Sequence, residues 1–281
     1  MVFSQSWGIY IHGGSDGASH RIMYLQAAGD KRATTVAKLF LGATSIFGWP
    51  TRVRCDKRRE NVCVMLLMEL QNPGGVSKPV LAGRSVHNTR IERLWREVHH
   101  IIEYRFKVIF YFLERIGALD PDNRLDIWIL HTIFLPVINR ALRHFQETWD
   151  YHKCSSLPQE RSPLREWIDG NCRRPRPGTV DPAFEVEDDF AIDPHIQPQE
   201  LADQEVEEEN FSTEDIAEAV DYLQGSAPDN SQWQPPLPED VLQDRMQMFA
   251  VDSADESDTA CQGAYLLLQE WVLGMLAEHE Q

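Results

Sequence analysis

Charged residues are divided so unevenly along this chain that the division limits which part of it can fold as a compact domain. Residues 181–281 contain 27 acidic residues and one arginine, whereas residues 1–180 contain 26 basic and 17 acidic residues. Apolar residues are scarce between positions 174 and 242, and such a segment buries too little surface to offset the entropy that ordering costs. We therefore predict a folded region over residues 1–174 and a disordered acidic region over residues 175–262.

Two segments of the acidic half have the apolar spacing of a helix. Ile216 and Val220 lie on one face of the first segment, near residues 212–224. The second segment, residues 263–281, is rich in leucine and contains Trp271. We predict a short helix in the first segment and an amphipathic terminal helix in the second. Isolated amphipathic helices commonly dock on a partner, so protein partners of the acidic region are expected.

The cysteines and the hydropathy of the chain bear on its location in the cell. The five cysteines are scattered and form no CxxC pair, which favours a reducing compartment over a disulfide framework. No stretch reaches the roughly 18 to 20 consecutive apolar residues that a membrane span needs, and no charged leader precedes an apolar core at the amino end. The sequence therefore predicts an intracellular protein without a membrane anchor.

Strand-like and helical patterns alternate over the first ninety residues, which is typical of a layered α/β domain. The predicted order is a hairpin of strands Trp7–Ile11 and Arg21–Leu25 around the glycine-rich segment Gly13–Gly17, a helix that ends at Gly48, a strand Thr51–Cys55 and an apolar helix Val62–Leu70. Two longer helical runs, Ile91–Ile116 and Leu130–Trp149, lie on either side of a turn at Asp120–Asn123. They predict a helical hairpin.

Two carboxylates have the setting that a divalent metal site requires. Asp56 directly follows a predicted strand, and Glu92 lies in the first turn of the first long helical run. Carboxylates placed in this way can share a Mg²⁺ ion with substrate phosphates. The spacing of Glu92 and Arg96 also fits a plain ion pair between positions i and i+4 on a helix surface. Both interpretations stay open at this point.

Four segments of the chain resemble the integrase core domain of transposon-derived and retroviral-like integrases. They are Trp7–Gly17, Gly48–Pro50, Arg52–Lys57 and, most specifically, Gly83–Arg96, and the likeness covers roughly residues 7–171. The resemblance implies a ribonuclease H-like α/β fold in which two Asp and one Glu hold two Mg²⁺ ions during DNA cleavage and strand transfer. Asp56 matches the second of these acids and Glu92 the third. They are the catalytic and metal-binding residues that the resemblance implies.

The first acid of that family lies on an earlier strand, and Met1–Ser6 contains no carboxylate. The resemblance therefore implies that the first strand and its acid are missing from the chain as printed. Asp16 is the only acid near the amino end, and its glycine-flanked setting favours a turn. Arg58 and Arg59 stand where the resemblance leads us to expect glycine. Two cations there would compete with Mg²⁺ for Asp56.

Basic residues cluster in sequence around the two carboxylate segments. Phosphate contacts from such a patch give salt-dependent and largely sequence-independent binding, so DNA is the expected partner. An ordinary solvated surface is the alternative interpretation. For the acidic region three roles stay open: covering the patch as a DNA mimic, contacting basic partners, or simple solubilisation. The predicted nucleic-acid-binding residues are Arg54, Lys57, Arg58, Arg59, Arg84, Arg90, Arg93 and Arg96.

The expected fold class is α/β: a ribonuclease H-like integrase core without its first strand, followed by a helical hairpin and a disordered acidic tail. The leading hypothesis is a transposon-derived, integrase-like protein of the nucleus that binds nucleic acid and is catalytically inactive as written. One alternative is an active Mg²⁺-dependent strand-transfer enzyme or nuclease. The other is a non-enzymatic interaction protein that acts through its acidic tail. A homo-oligomer is compatible with each hypothesis.

Overall fold

Three antiparallel strands in the order β1-β2-β3 begin the fold: β1 (Val2–Ser4), β2 (Ile9–Ser15) and β3 (Ile22–Ala28). The computed structural model of this chain describes residues 2–4, 6–55, 58–72, 78–82, 89–173 and 257–279. In β2, Ile9 and Ile11 are fully buried, because alternate residues of a strand point to the same face. This sheet therefore turns one face towards the hydrophobic core.

The hairpin of β2 and β3 confirms the prediction, but its turn lies later in the chain than expected. Gly13 pairs with Leu25 and Gly14 with Tyr24, so both glycines belong to β2 and not to the turn. The turn is formed at Asp16, whose Oδ2 accepts hydrogen bonds from the Ser19 backbone N–H and the Ser19 hydroxyl, each at 2.7 Å. Asp16 thus has the turn role that its setting predicted.

The first strand of the sheet, β1, was not predicted from the sequence. It is antiparallel to β2, with Val2 opposite Tyr10. A strand of three residues is too short to produce an alternating pattern, which is why the sequence did not reveal it. The sequence of β1, Val-Phe-Ser, contains no carboxylate.

A second layer follows, as the alternating pattern predicted, although its last strand, Val80–Ala82, was not predicted. Helix α1 (Ala33–Phe47) packs on α2 (Val62–Gln71), and β4 (Val53–Cys55) pairs in parallel with β5 (Val80–Ala82). Parallel strands need a crossover connection, and α2 provides it. In the described part of the chain, these five strands form two separate sheets and not one. Buried side chains of α1 and α2 pack with Tyr24 of β3 and Val53 of β4 in one cluster, which joins the two sheets.

A pair of long antiparallel helical segments covers the first sheet, and it confirms the predicted helical hairpin. The first segment is continuous: α3 (Thr89–Val98) passes through a π-helical turn (His99–Glu103) into α4 (Tyr104–Arg115). The second is α5 (Arg124–Tyr151), which begins at an Asn123 cap. Pro136 lies inside α5. A further helix, α6 (Pro163–Arg173), was not predicted.

The last described helix, α7 (Asp258–His279), is part of the hydrophobic core. It begins five residues before the terminal helix that the sequence predicted. Its side chains Cys261, Tyr265, Leu268 and Val272 are buried against the hairpin of α4 and α5. The Tyr265 hydroxyl donates a hydrogen bond to the Ala118 carbonyl at 3.1 Å. The predicted helix near residues 212–224, and all but six residues of the predicted disordered region, lie outside the described residues.

Among the described helices, α5 alone is long and apolar enough to cross a membrane by length and composition. Its apolar residues have partners within the protein. Ile129, Leu130, Phe134 and Val137 are almost completely buried in the main core. Their burial supports the interpretation of α5 as the central helix of a folded domain.

Candidate nucleic-acid and metal site

The elements that carry the two predicted metal ligands are both present. Strand β4 ends at Cys55, directly before Asp56, and Glu92 lies in the first turn of α3. Asp56 itself and the side chain of Glu92 lie outside the described residues. Their described neighbours nevertheless fix where the two segments lie on the fold.

Trp95 follows Glu92 by nearly one helical turn. It contacts β2 and so holds α3 against the first sheet. A Cβ atom on Gly13 would lie 2.8 Å from Cη2 of Trp95 and 2.9 Å from Cδ1 of Leu25. Real side chains do not approach so closely, so only glycine lets α3 pack at this distance. The start of α3 is therefore held against the Gly13 stretch of β2.

Tyr24 links the end of β4 to the same stretch of β2. A Cβ atom on Gly14 would lie 2.6 Å from Cε1 of Tyr24, so the phenol ring lies directly over Gly14. Burial of the phenol, and secondarily negative charge on the nearby Cys55 thiol, raise the pKa of Tyr24 to about 12. Tyr24 is therefore a neutral phenol at pH 7. Trp95 of α3 thus packs on Gly13, while Tyr24, which packs on Gly14, shares a hydrophobic cluster with Val53 of β4.

His12 is a buried polar residue at this site that the sequence analysis missed. Its side chain is 7% exposed, and its Nε2 atom lies 2.9 Å from the Asp30 carbonyl oxygen. A carbonyl oxygen only accepts, so Nε2 carries the proton and donates it. Burial is the main cause that lowers the pKa of His12, despite the opposing effect of this hydrogen bond. A single histidine within a strand gives no pattern by which it could have been found.

The predicted nucleic-acid-binding residues that the structure describes lie on two stretches of the chain, residues 54–59 and helix α3. Arg54 is half-buried in β4, and Arg58 and Arg59 are exposed just before α2. Arg93 and Arg96 are exposed on α3. Lys57, Arg84 and the side chain of Arg90 lie outside the described residues.

A groove of about 670 Å³ runs between α3–α4 and α5, and Arg93 is part of its wall. Its other basic side chains were not predicted: Arg105, Arg140, His144 and His152. Glu97 is the only acidic residue among the described residues that line it, and aromatic side chains such as Phe145 and Trp149 line the rest. The helical spacing of Arg140, His144 and His152 was visible in the sequence. Their place in the same groove as Arg93 was not, because it depends on how α5 packs.

The oxygen donors of Asp56 and Glu92 fit the Mg²⁺ that integrase core domains commonly use, because Mg²⁺ prefers carboxylate ligands. Among the described residues, no group of three or more His, Cys, Asp or Glu side chains is arranged to hold a metal ion. The Sγ atom of buried Cys154 lies 3.7 Å from Nδ1 of His20. This contact links the chain after α5 to the β2–β3 turn. We interpret this pair as structural.

Comparison with known proteins shows the family to which the chain belongs. A family model of the integrase core domain matches residues 4–176, which is more than half of the chain. The chain therefore belongs to the integrase core domain family, whose fold is ribonuclease H-like α/β. The match runs from the end of β1 to just beyond α6, and so excludes α7. No curated protein and no solved structure matches the chain.

Proposed function

We propose that this protein is an integrase-like protein that binds DNA through the side of the fold that carries α3 and the end of β4. One observation carries the proposal: Trp95 of α3 and Tyr24, which shares a cluster with Val53 of β4, pack on adjacent glycines of β2, and the segments around Asp56 and Glu92 each bear exposed arginines. Arg58 and Arg59 belong to one segment and Arg93 and Arg96 to the other. Their contacts with phosphates would make binding depend on salt and little on sequence.

We further propose that the chain as printed does not cleave or join DNA. Asp56 and Glu92 would hold Mg²⁺, which stabilises the developing charge on the attacking and leaving oxygens of a phosphodiester. The family uses a third carboxylate, for which this chain offers no described candidate. Asp16 is occupied as the acceptor of three hydrogen bonds from Ala18 and Ser19 in the β2–β3 turn. The cations Arg58 and Arg59 would also disfavour metal binding at Asp56 by repulsion.

The binding proposal is tested by the anisotropy of a labelled DNA duplex titrated with the full chain at several salt concentrations. Arg93→Gln with Arg96→Gln removes two exposed cations from α3. We expect binding about threefold to tenfold weaker, and a plot of log affinity against log salt that is less steep by about one to two. The matched control is Arg115→Gln with Arg124→Gln, two exposed arginines at the opposite end of the hairpin. An equal loss of DNA affinity in the two double variants, or binding that does not depend on salt, would contradict the proposal.

Two further proposals follow from a DNA partner. The protein would reside in the nucleus, which the position of a fluorescent fusion in cells tests directly. A homo-oligomer is also proposed. Light scattering of the purified chain measures its mass against the 32.4 kDa of one copy.

A further inference from the structure

A buried carboxylate lies at the π-helical turn that joins α3 to α4. Glu103 is the last residue of this turn, and its side chain is 1% exposed. Its Oε2 atom lies 2.7 Å from Nδ1 of His99 and 3.2 Å from Nζ of Lys107. Burying a carboxylate costs free energy unless the group is paired, and these two contacts offset part of that cost. Glu103 thus links the side chains four residues before it and four residues after it.

The other carboxylate oxygen of Glu103 is less well satisfied. The Oε1 atom is buried, and no described residue forms a hydrogen bond with it. A buried acceptor without a partner destabilises a fold, so stability alone does not explain this carboxylate. π-Helical turns are rare, and they are frequently found at functional sites. Both observations call for a functional explanation of the turn.

The carboxylate of Glu103 determines how the ring of His99 is held. A carboxylate that pairs with a lysine only accepts hydrogen bonds, so Nδ1 of His99 carries a proton and donates it to Oε2. The second ring nitrogen, Nε2, is then left for another partner, and the side chain of His99 is 56% exposed. A histidine with one ring nitrogen fixed in this way is pre-organised to bind a ligand through the other.

His99 lies beside the arginines through which DNA binding is proposed. It follows Arg96 by three residues, and side chains three or four residues apart are neighbours on a helix surface. Arg93 and Arg96 are exposed, as is His99. In the imidazolium form of His99, Nε2 is a hydrogen-bond donor as well as Nδ1. A charged donor next to two arginines fits a phosphate oxygen.

We propose that His99 donates a hydrogen bond from Nε2 to a backbone phosphate of bound DNA, and that Glu103 is the positioning residue that holds its ring. The contact with DNA rests on the proposed function, whereas the positioning of His99 by Glu103 does not. A phosphate contact reads no base, so it adds affinity without adding sequence preference.

The positioning is tested without DNA, by nitrogen-15 NMR of the full chain labelled at histidine. The signals of His99 are assigned by their loss in His99→Ala. In the neutral ring we expect the proton on Nδ1. Glu103→Leu fills the buried position with an apolar side chain of similar size and removes the acceptor, so it should shift the proton towards Nε2. Glu103→Gln keeps an oxygen acceptor and should largely retain the original tautomer. Unchanged His99 signals in Glu103→Leu would show that Glu103 does not position the ring.

The contact with DNA is tested by the same anisotropy titration as the arginine variants. His99→Ala should weaken binding about threefold to tenfold, and should make the plot of log affinity against log salt less steep by up to about one. His100→Ala is the matched control, because His100 is exposed in the same turn but no described carboxylate holds its ring. The control should weaken binding less than about twofold. Equal losses in the two variants would overturn the proposal.

Glu103→Leu gives the most decisive binding result, because it removes a negative charge. If net charge alone mattered, this substitution would strengthen DNA binding. We expect it to weaken binding instead, to about the level of His99→Ala, with no further loss when the two substitutions are combined. Tighter binding by Glu103→Leu would contradict the role of Glu103.

The arginine variants separate this proposal from the proposed function. If Arg93→Gln with Arg96→Gln weakens DNA binding and His99→Ala does not, the His99 contact is wrong and the DNA-binding side of the fold stands. If the chain binds no DNA at all, the proposed function is wrong, and the contact of His99 with DNA is wrong with it.

Discussion

Gly13 lies where β2 passes beneath Trp95, and its missing side chain creates the space that α3 uses. Gly13→Ala should lower the free energy of unfolding by about 1 to 3 kcal/mol, because the added methyl group overpacks a contact between two elements. Unfolding in urea, followed by circular dichroism, measures the change.

Gly42 in α1 supplies the control, because a Cβ atom there would meet nothing within 4 Å. Gly42→Ala should stabilise the protein by about 0.5 to 1 kcal/mol, since alanine favours a helix interior. Stabilisation by both substitutions would contradict the close approach of Trp95 to β2.

Two histidines, buried His12 and half-buried His131, make stability depend on pH near neutrality. Burial lowers the pKa of His12 and His131, and Nε2 of His131 donates to the Trp7 carbonyl at 2.8 Å. The unfolded chain, with ordinary histidine pKa values near 6.5, then binds more protons than the folded one as the pH falls. The free energy of unfolding should therefore be greatest above that pH and decline between about pH 7 and pH 5.5.

The dependence on pH should be weaker in His131→Gln, whose amide can still donate to Trp7. Urea unfolding at several pH values measures the slope. An identical slope in His131→Gln and the original chain would show that His131 does not cause it.

Local chemistry determined which individual residues could be predicted from the sequence. The turn role of Asp16 was predictable, because its side chain accepts hydrogen bonds from residues two and three positions later. The strand position of Gly13 and Gly14 was not. Two adjacent glycines are typical of a turn. The Trp95 side chain, whose close packing requires glycine at position 13, lies 82 positions later in the chain.

At the scale of elements, long apolar periodicities were reliable and short segments were not. Helices α1, α2, α4 and α5 repeat apolar residues over several turns, and each was predicted. Strand β1 has three residues and α6 has eleven, with a largely polar sequence, and neither was predicted. Arg161 and Trp167 hold the α6 region through contacts with Asp169 and Phe47, respectively, which no local pattern reveals.

Helix α7 was predicted as a separate terminal helix, yet it contributes to the core of the integrase-like domain. Tyr265→Ala should lower the free energy of unfolding by about 3 to 5 kcal/mol, because it empties a buried aromatic site beside Phe134. Leu267→Ala, at a position 56% exposed on the same helix, should change it by less than about 0.5 kcal/mol. Thermal and urea unfolding of both variants test this. Equal effects would mean that α7 does not belong to the core.

At the scale of the whole molecule, catalysis depends on a set of carboxylates that this chain matches only in part. In the presence of Mg²⁺ the chain as printed should not convert supercoiled plasmid into the nicked form. It should behave like the variant Asp56→Asn with Glu92→Gln. If the original chain nicks the plasmid and this variant does not, the proposed inactivity is wrong and the alternative of an active enzyme is favoured.

The protein family was predictable from the motif Gly83–Arg96 and from the order of elements, which resembles the family over most of the folded part. The groove was not predictable. Its lining side chains come from α3–α4 and α5, and only the packing of these helices brings Arg93 and His144 into one groove. The acidic composition likewise gave no sign that the chain returns to the core at α7.

The position of α7 affects the order in which this protein forms during its synthesis. The hydrogen bond from Tyr265 to Ala118 joins residues 147 positions apart, and the acidic stretch is translated between them. A growing chain reaches the ribosome exit with Phe134 and its neighbours still lacking their last covering helix. Exposed core surface of this kind promotes aggregation, and contacts of such long sequence separation slow folding. The strongly acidic stretch would then keep the nascent chain soluble until α7 emerges to complete the core.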